Sequence, residues 1–198
     1  MLYPESLSNA INSFKRLPGI GEKSAERFAL SILDLDEEEI DDFSNHIKEC
    51  KAKLHKCSVC GHLTDKDICD ICNDTSRNNN IICVVEDYKS VFMFEKSGTF
   101  SGKYHVLNGV ISPMDGVYPE DININSLINR IKEPKDTEVI VALKPTIEGE
   151  TTTLYIKKIL EDKNIKVSRL SYGIPMGVDI DYLDPITLDR ALLDRKEL

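Results

Sequence analysis

The sequence predicts a multi-domain α+β protein in which a helical N-terminal region and an α/β domain flank a small zinc knuckle. Three observations predict this order. Apolar residues recur at helical spacing up to about residue 54, and two C-x-x-C pairs follow directly. From about residue 80, short apolar runs alternate with helical patterns, which indicates βαβ units and a mostly parallel sheet.

Two helical patterns joined by a glycine-containing turn open the chain. Leu7, Ile11 and Phe14 lie on one face of a helix that we expect over residues 4–16. Residues 17–21 read L-P-G-I-G, and a second helical pattern follows them. Helix, short glycine turn and helix together form a helix-hairpin-helix pattern.

This turn predicts contact with a nucleic-acid backbone. Gly19 and Gly21 would let a phosphate approach closely, and the next helix would present unpaired N–H donors to it. Lys23 and Arg27, one helical turn apart, would add positive charge beside the same phosphate. The alternative is a tight turn between two packed helices. The basic residues favour DNA contact, with little sequence preference because phosphates carry no base information.

The paired cysteines predict a metal site. Cys57, Cys60, Cys69 and Cys72 follow the pattern C-x2-C-x8-C-x2-C, which lets two turns converge on one tetrahedral ion. Four sulfur ligands leave no open coordination position, so we expect one structural zinc ion per chain. Two disulfides or four ordinary cysteines are the alternatives. Three nearby histidines are interpreted as bystanders: His46, His55 and His62.

Two cysteines remain outside this pattern, and both lie in apolar surroundings. Cys50 lies in a third predicted helix, which begins after a capping box formed by Asp36 and Glu39. Cys83 lies in a predicted strand over residues 81–85. We expect both thiols to lie in the core.

The predicted α/β domain carries acidic residues where strands end. Its other strands are expected at residues 104–107, 138–142 and 166–170, with helices from 88, over 125–132 and over 151–162. Glu86 and Asp87 end one strand, and Glu148 and Glu150 lie in a loop expected over residues 143–150. Such carboxylates could hold Mg²⁺ or could cap the following helices, and spacing alone favours neither.

Charge and hydropathy limit the class of protein. The net charge of −9 argues against a protein that binds nucleic acid over its whole surface, but it allows a local site. No apolar run approaches the ~18 residues that a membrane helix needs, and residues 1–6 show no signal-peptide pattern. We therefore expect a cytoplasmic protein with no membrane partner.

The motifs taken together resemble the RecR family of bacterial recombination mediators, and the resemblance covers the whole chain. It depends on the L-P-G-I-G turn, the four cysteines and a series of further motifs. These are VED at 85–87, LNGVISPMDG at 107–116, PTIEGET at 145–151, GIPMG at 173–177, DYLD at 181–184, TL at 187–188 and AL at 191–192.

The resemblance implies four parts and a role in recombinational DNA repair. The parts are a helix-hairpin-helix region (1–54), a zinc knuckle (55–76), a Toprim domain (80–172) and a C-terminal helical segment exchanged between subunits (173–198). It also implies a ring-like clamp, a homotetramer, that binds single- and double-stranded DNA. With the partners RecO and RecF, it would help to load RecA on single-stranded DNA.

The resemblance also assigns roles to individual residues, and two positions of this sequence depart from the family pattern. It implies that Gly19, Gly21, Lys23 and Arg27 bind DNA. It also implies a Toprim acidic cluster that consists of Glu86, Asp87, Glu148 and Glu150. In this family the cluster serves partner contacts more than catalysis. Lys144 stands where the family usually has Asn, and Asp194 stands where it commonly has Gly.

Catalytic Toprim enzymes usually carry a D-x-D pair, whereas residues 148–150 here read E-G-E, and no nucleophilic tyrosine can be placed beside them. We therefore expect a protein without enzymatic activity, in which any Mg²⁺ is not catalytic. The alternatives are a Mg²⁺-dependent nuclease or primase-like enzyme that uses Glu86 with Glu148 and Glu150, and a zinc-stapled adaptor that binds only proteins.

Overall fold

The computed structural model describes residues 2–171, 174, 177–193 and 195, and these form two compact units. The first unit ends at Leu54, and the second begins at His55. Several residues of the predicted C-terminal features lie outside the described residues: Tyr172, Gly173, Pro175, Met176 and Asp194.

The first unit consists of three α-helices and a 3₁₀ turn. These are α1 (Glu5–Lys15), α2 (Glu22–Ser31), the 3₁₀ turn (Ile32–Asp34) and α3 (Glu37–Lys53). Helices α1 and α2 pack through a small core of Ile11, Ala25 and Ala29. The rings of Phe14 and Phe28 meet edge to face beside it, with centroids 5.7 Å apart. The two helices and the turn between them therefore form one packed hairpin.

Helix α3 begins with the predicted capping box. The Asp36 side chain accepts a hydrogen bond from the Glu39 N–H (2.9 Å), and the Glu39 carboxylate accepts one from the Asp36 N–H (3.0 Å). None of the 17 residues of α3 is buried in the described chain, although Phe43 and Ile47 belong to an apolar stripe. The prediction that Cys50 lies in the core is wrong, because Cys50 is exposed.

The second unit contains the zinc knuckle and a four-stranded sheet. The knuckle elements are β1 (His55–Lys56), β2 (Leu63–Thr64) and α4 (Asp70–Asn73). The sheet strands are β3 (Asn78–Val85), β4 (Gly102–Val106), β5 (Glu138–Ala142) and β6 (Lys166–Arg169). The helices are α5 (Tyr88–Ser97), α6 (Ile124–Arg130), α7 (Ile147–Glu161) and α8 (Pro185–Leu193). All described pairings in the sheet are parallel, in the order β4-β3-β5-β6.

The sheet has a core on each face, as expected for parallel strands covered on both sides. Ile82 and Val84 of β3 belong to the larger cluster, which includes Leu127 of α6 and Ile156 of α7. Cys83, with its neighbour Val85, belongs to a smaller cluster on the other face. The prediction that Cys83 is a core residue is confirmed.

Two element boundaries differ from expectation by more than two residues. Strand β3 begins at Asn78 and not at the expected residue 81, because the Asn78 N–H bonds the Ser101 carbonyl beside β4 (2.9 Å). Helix α7 begins at Ile147, since the Thr146 hydroxyl caps it by accepting the Gly149 N–H (3.1 Å). The expected loop over residues 143–150 is therefore shorter, and Glu150 lies inside the helix.

The described C-terminal part is helical, as predicted. Asp184 caps α8 by accepting a hydrogen bond from the Thr187 N–H at 3.0 Å. Large apolar side chains of this segment lie exposed: Tyr182, Ile186, Leu192 and Leu193. Among the described helices, none combines the length and apolarity that crossing a membrane requires.

Candidate zinc centre and nucleic-acid interface

The four predicted metal ligands converge on one point. The Sγ atoms of Cys57, Cys60, Cys69 and Cys72 all lie within 4.8 Å of one another, and all four cysteines are free of disulfides. The Sγ atoms of Cys60 and Cys69 are 3.6 Å apart. A tetrahedral zinc ion with Zn–S bonds of about 2.3 Å places its sulfurs about 3.8 Å apart. The sulfurs are therefore arranged as a closed zinc site requires.

Backbone donors complete the environment of the sulfurs. The N–H groups of His62, Cys69 and Cys72 donate to the sulfurs of Cys60, Cys57 and Cys69, at 3.4, 3.3 and 3.4 Å. Hydrogen bonds among the thiols lower the pKa of Cys69 and accompany raised pKa values of Cys60 and Cys72. The backbone N–H donors favour the thiolate form at the sulfurs they contact, and thiolate is the form that binds zinc.

The knuckle is bound tightly to the sheet. The Val106 N–H of β4 donates to the Cys60 carbonyl at 2.7 Å. The buried ammonium of Lys103 donates to the carbonyls of Ile71 (2.7 Å), Cys72 (3.2 Å) and Asp74 (2.5 Å). Lys103 thus neutralises the C-terminal end of α4. Sequence reasoning missed this role, because Lys103 lies just before the strand predicted at residues 104–107, and nothing in the sequence indicates that this lysine is buried.

His62 has a packing role. Its ring is buried and meets the Phe92 ring of α5 edge to face, with centroids 4.9 Å apart. Burial lowers the pKa of His62. Neither His62 nor the other two histidines near the knuckle belongs to the metal-ligating group found among the described residues.

The helix-hairpin-helix turn presents an open helix N-terminus. Gly19 has φ +81°, which favours glycine, and a Cβ at Gly19 or Gly21 would meet nothing within 4 Å. Gly21 is the N-cap of α2, and no side chain caps the helix there. Lys23 and Arg27 are exposed on α2, and neither forms an ion pair with a described residue. The turn therefore leaves backbone donors and two cations accessible.

The acidic residues at the end of the sheet have separate partners. Glu86 pairs with Lys144 (3.1 Å) and Glu150 with Arg169 (3.4 Å). Asp87 caps α5 by accepting the Ser90 N–H at 3.0 Å, which confirms the capping alternative for this residue. Glu148 lies half-buried in the first turn of α7. The idea that Glu150 caps a helix beginning at residue 151 is wrong, because Thr146 is the cap.

These carboxylates do not gather as the cysteines do. The only described group of three or more ligating side chains within 4.8 Å is the cysteine group. The pairing with Lys144 and Arg169 was missed, because those cations reach the carboxylates only through the strand order.

Four family models match successive segments of the chain. A RecR helix-hairpin-helix model matches residues 7–51, and a RecR four-cysteine zinc finger model matches residues 54–74. A Toprim domain model matches residues 80–171, and a RecR C-terminal model matches residues 173–196.

The fold and these matches define a DNA-binding protein with a helix-hairpin-helix, a four-cysteine zinc finger and a Toprim domain. The chain belongs to the RecR family of recombination mediators in DNA repair. The four cysteines fit one structural zinc ion per chain. The predicted fold class, family and zinc site are confirmed.

Proposed function

We propose that this chain is a non-catalytic cytoplasmic mediator that binds the backbones of single- and double-stranded DNA through Gly19, Gly21, Lys23 and Arg27. With RecO and RecF, it helps to load RecA on single-stranded DNA. The observation that carries the DNA contact is the uncapped N-terminus of α2 beside two exposed glycines and two cations without ion-pair partners among the described residues.

Several physical features support a phosphate at this point. The first N–H groups of a helix lack intrahelical acceptors, and the helix dipole favours an anion there. Gly21 leaves open space beside these donors, so a phosphate oxygen can reach them. Lys23 lies beside the donors, and Arg27 lies one turn further along the same helix. Contacts of this kind recognise phosphate and give little sequence preference.

We also propose that the chain self-associates as a tetrameric ring-like clamp. The exposed apolar stripe of α3, with Phe43 and Ile47, supports one subunit interface. The exposed apolar residues of α8, such as Ile186 and Leu192, support exchange of the C-terminal segment over residues 173–198. A ring holds DNA topologically, so a chain of net charge −9 would not need a basic surface throughout.

The zinc knuckle over residues 55–76 is proposed to be a structural staple. Its sulfurs are turned inward, and its backbone carbonyls accept hydrogen bonds from Lys103 and Val106 of the Toprim domain, which spans residues 80–172. The helix-hairpin-helix region over residues 1–54 then carries the DNA contact. In this proposal the acidic residues of the Toprim domain serve partner contacts.

Salt-dependent DNA binding tests the phosphate site. We expect Lys23→Ala with Arg27→Ala to weaken binding about tenfold or more and to reduce the slope of log affinity against log salt by about 1.5. The matched control is Lys157→Ala with Lys158→Ala, which removes the same charge from exposed positions on α7. Equal affinities for the two double variants would refute the proposed site.

The alternative function is a Mg²⁺-dependent nuclease or primase, which the Toprim match favours. Incubation of the pure protein with labelled DNA, nucleotides and Mg²⁺ or Mn²⁺ separates the two functions. We expect no cleavage and no synthesis. An activity lost in Glu86→Gln would instead establish an enzyme.

A further inference from the structure

Two ion pairs occupy the carboxyl end of the Toprim sheet. Strands β3 and β5 are neighbours, with Val85 paired to Ala142. Glu86 follows the first strand and Lys144 follows the second, so their charged groups meet at 3.1 Å. The carboxyl ends of parallel strands are where ligands usually bind, and here the Lys144 ammonium occupies that position.

The second ion pair lies one strand further along. Arg169 at the end of β6 is paired with Val141 of β5, and its guanidinium lies 3.4 Å from the Glu150 carboxylate. Because Glu150 lies in the first turn of α7, this pair links the helix to the sheet. Two cations thus stand among the four predicted acidic residues, and they halve the formal negative charge.

The backbone at Lys144 is held by close packing. Its carbonyl accepts the Thr146 N–H at 2.9 Å, and a Cβ at Gly149 would collide with the same oxygen. Glycine is needed here because the first turn of α7 lies directly against this carbonyl. The lysine therefore leaves the sheet from a fixed point beside Glu86, although its side chain is 65% exposed.

The donor set does not fit Mg²⁺. That ion takes near-octahedral oxygen ligands at about 2.0–2.1 Å, usually several waters with one or two carboxylates, so those carboxylates must not be held by competing cations. Here Asp87 is committed to the cap of α5, while Glu86 and Glu150 each face a cation.

We infer that Lys144 and Arg169 are resident counter-cations of this edge, and that they take the place of a divalent ion. Of these two cations, Lys144 is the main competitor of a divalent ion at Glu86, because it pairs with Glu86 from the end of the neighbouring strand. A divalent ion bound to Glu86 would have to displace Lys144 and would be repelled by it. The edge is therefore a salt-bridged surface whose charge does not depend on Mg²⁺. This inference does not rest on the proposed DNA contact.

Binding of Mn²⁺, followed by electron paramagnetic resonance, tests the inference. We expect the wild-type protein to show no saturable site in this domain below millimolar Mn²⁺. Lys144→Asn should tighten Mn²⁺ binding by on the order of tenfold, because it removes both the competing ion pair and the repulsion. The gain should disappear when Glu86→Gln is added to Lys144→Asn.

The matched control is Lys157→Asn, since Lys157 also forms an exposed ion pair, with Glu161 on α7. It makes the same change of charge and should not alter Mn²⁺ binding. Three results would overturn the inference. They are submillimolar wild-type binding that Glu86→Gln abolishes, unchanged binding in Lys144→Asn, and an equal gain in Lys157→Asn. Zinc content and melting temperature confirm that each variant is folded.

Discussion

The two units of this protein bury their apolar residues to very different extents. The first unit has three fully buried residues in its core, and all of them belong to α1 and α2. The second unit has clusters of twelve and five buried residues on the two faces of its sheet. Both sequences carry apolar patterns of the expected period, so the pattern alone does not determine what is buried.

The difference teaches where each unit obtains its stability. In the Toprim domain, each face of the sheet is covered by helices of the same chain, which removes apolar surface from water. In the first unit, α3 carries an apolar stripe, but none of its residues is buried in the described chain. The first unit is therefore the part of the molecule whose stability should depend most on a partner surface.

The largest expected effect is the loss of the zinc site. Cys57→Ser removes one of four ligands from a buried site. We therefore expect the protein to lose zinc and its free energy of unfolding to decrease by about 3 kcal/mol or more. Thermal melts combined with a zinc assay measure both. DNA preference should change only after zinc and stability are lost.

The contrast between the units supplies the control for that experiment. Cys50 of α3 is exposed, so Cys50→Ser should change the free energy of unfolding by less than about 0.5 kcal/mol. A stable Cys57→Ser protein without zinc would show that the knuckle does not staple the second unit.

The second largest effect is acid destabilisation through His105. This side chain is fully buried, its Nε2–H donates to the Asn123 carbonyl at 2.6 Å, and burial lowers its pKa to about 4. The unfolded chain binds a proton below about pH 6.5, while the folded chain resists it. The titration of His105 therefore does not lower the free energy of unfolding above pH 6.5. It lowers the free energy of unfolding by about 3 kcal/mol as the pH falls from 6.5 to 4.

Urea unfolding of the wild type and of His105→Gln between pH 7 and pH 4 checks this prediction. The variant should lose less stability on acidification, whereas the effect of acid on the zinc thiolates is common to both proteins. Parallel pH profiles would contradict the prediction.

Sequence reasoning succeeded where one local pattern determines the outcome. Strand β5 was predicted at residues 138–142 and lies there, because its apolar run is bounded by polar residues. The capping box of Asp36 and Glu39 involves only four consecutive positions. The cysteine spacing alone likewise predicts that the four sulfurs converge, because each C-x-x-C pair forms one tight turn.

It failed where the outcome depends on distant residues. Glycine disfavours a helix by local propensity, yet Gly149 lies in the first turn of α7. Glycine is required there because the helix lies directly against the Lys144 carbonyl. The partners of Glu86 and Glu150 follow from strand order, which spacing does not reveal. Cys50 was misplaced because periodicity shows that a face is apolar but not that anything covers it.

A smaller effect is expected at the start of α3. Asp36→Ala removes the side-chain acceptor of the Glu39 N–H but keeps the bond from the Asp36 N–H to the Glu39 carboxylate. It should lower the free energy of unfolding of the first unit by about 1 kcal/mol. Asp42→Ala is the matched control, since it removes the same charge from an exposed position within α3. Chemical denaturation of both variants measures the difference, and equal losses would show that charge and not the cap is responsible.

The smallest effect on the free energy of unfolding is expected on the exposed stripe of α3. Ile47 is 56% exposed, so Ile47→Gln should change the stability of the dilute, dissociated chain by less than about 0.5 kcal/mol. If the stripe is a subunit interface, the same variant should lower the average mass in sedimentation at micromolar concentration, because burial of Ile47 contributes only in the assembly. Lys48→Gln, at the adjacent exposed position, should leave the mass unchanged. An Ile47→Gln variant with lower stability in the dissociated chain and unchanged mass would show that the stripe packs within one subunit.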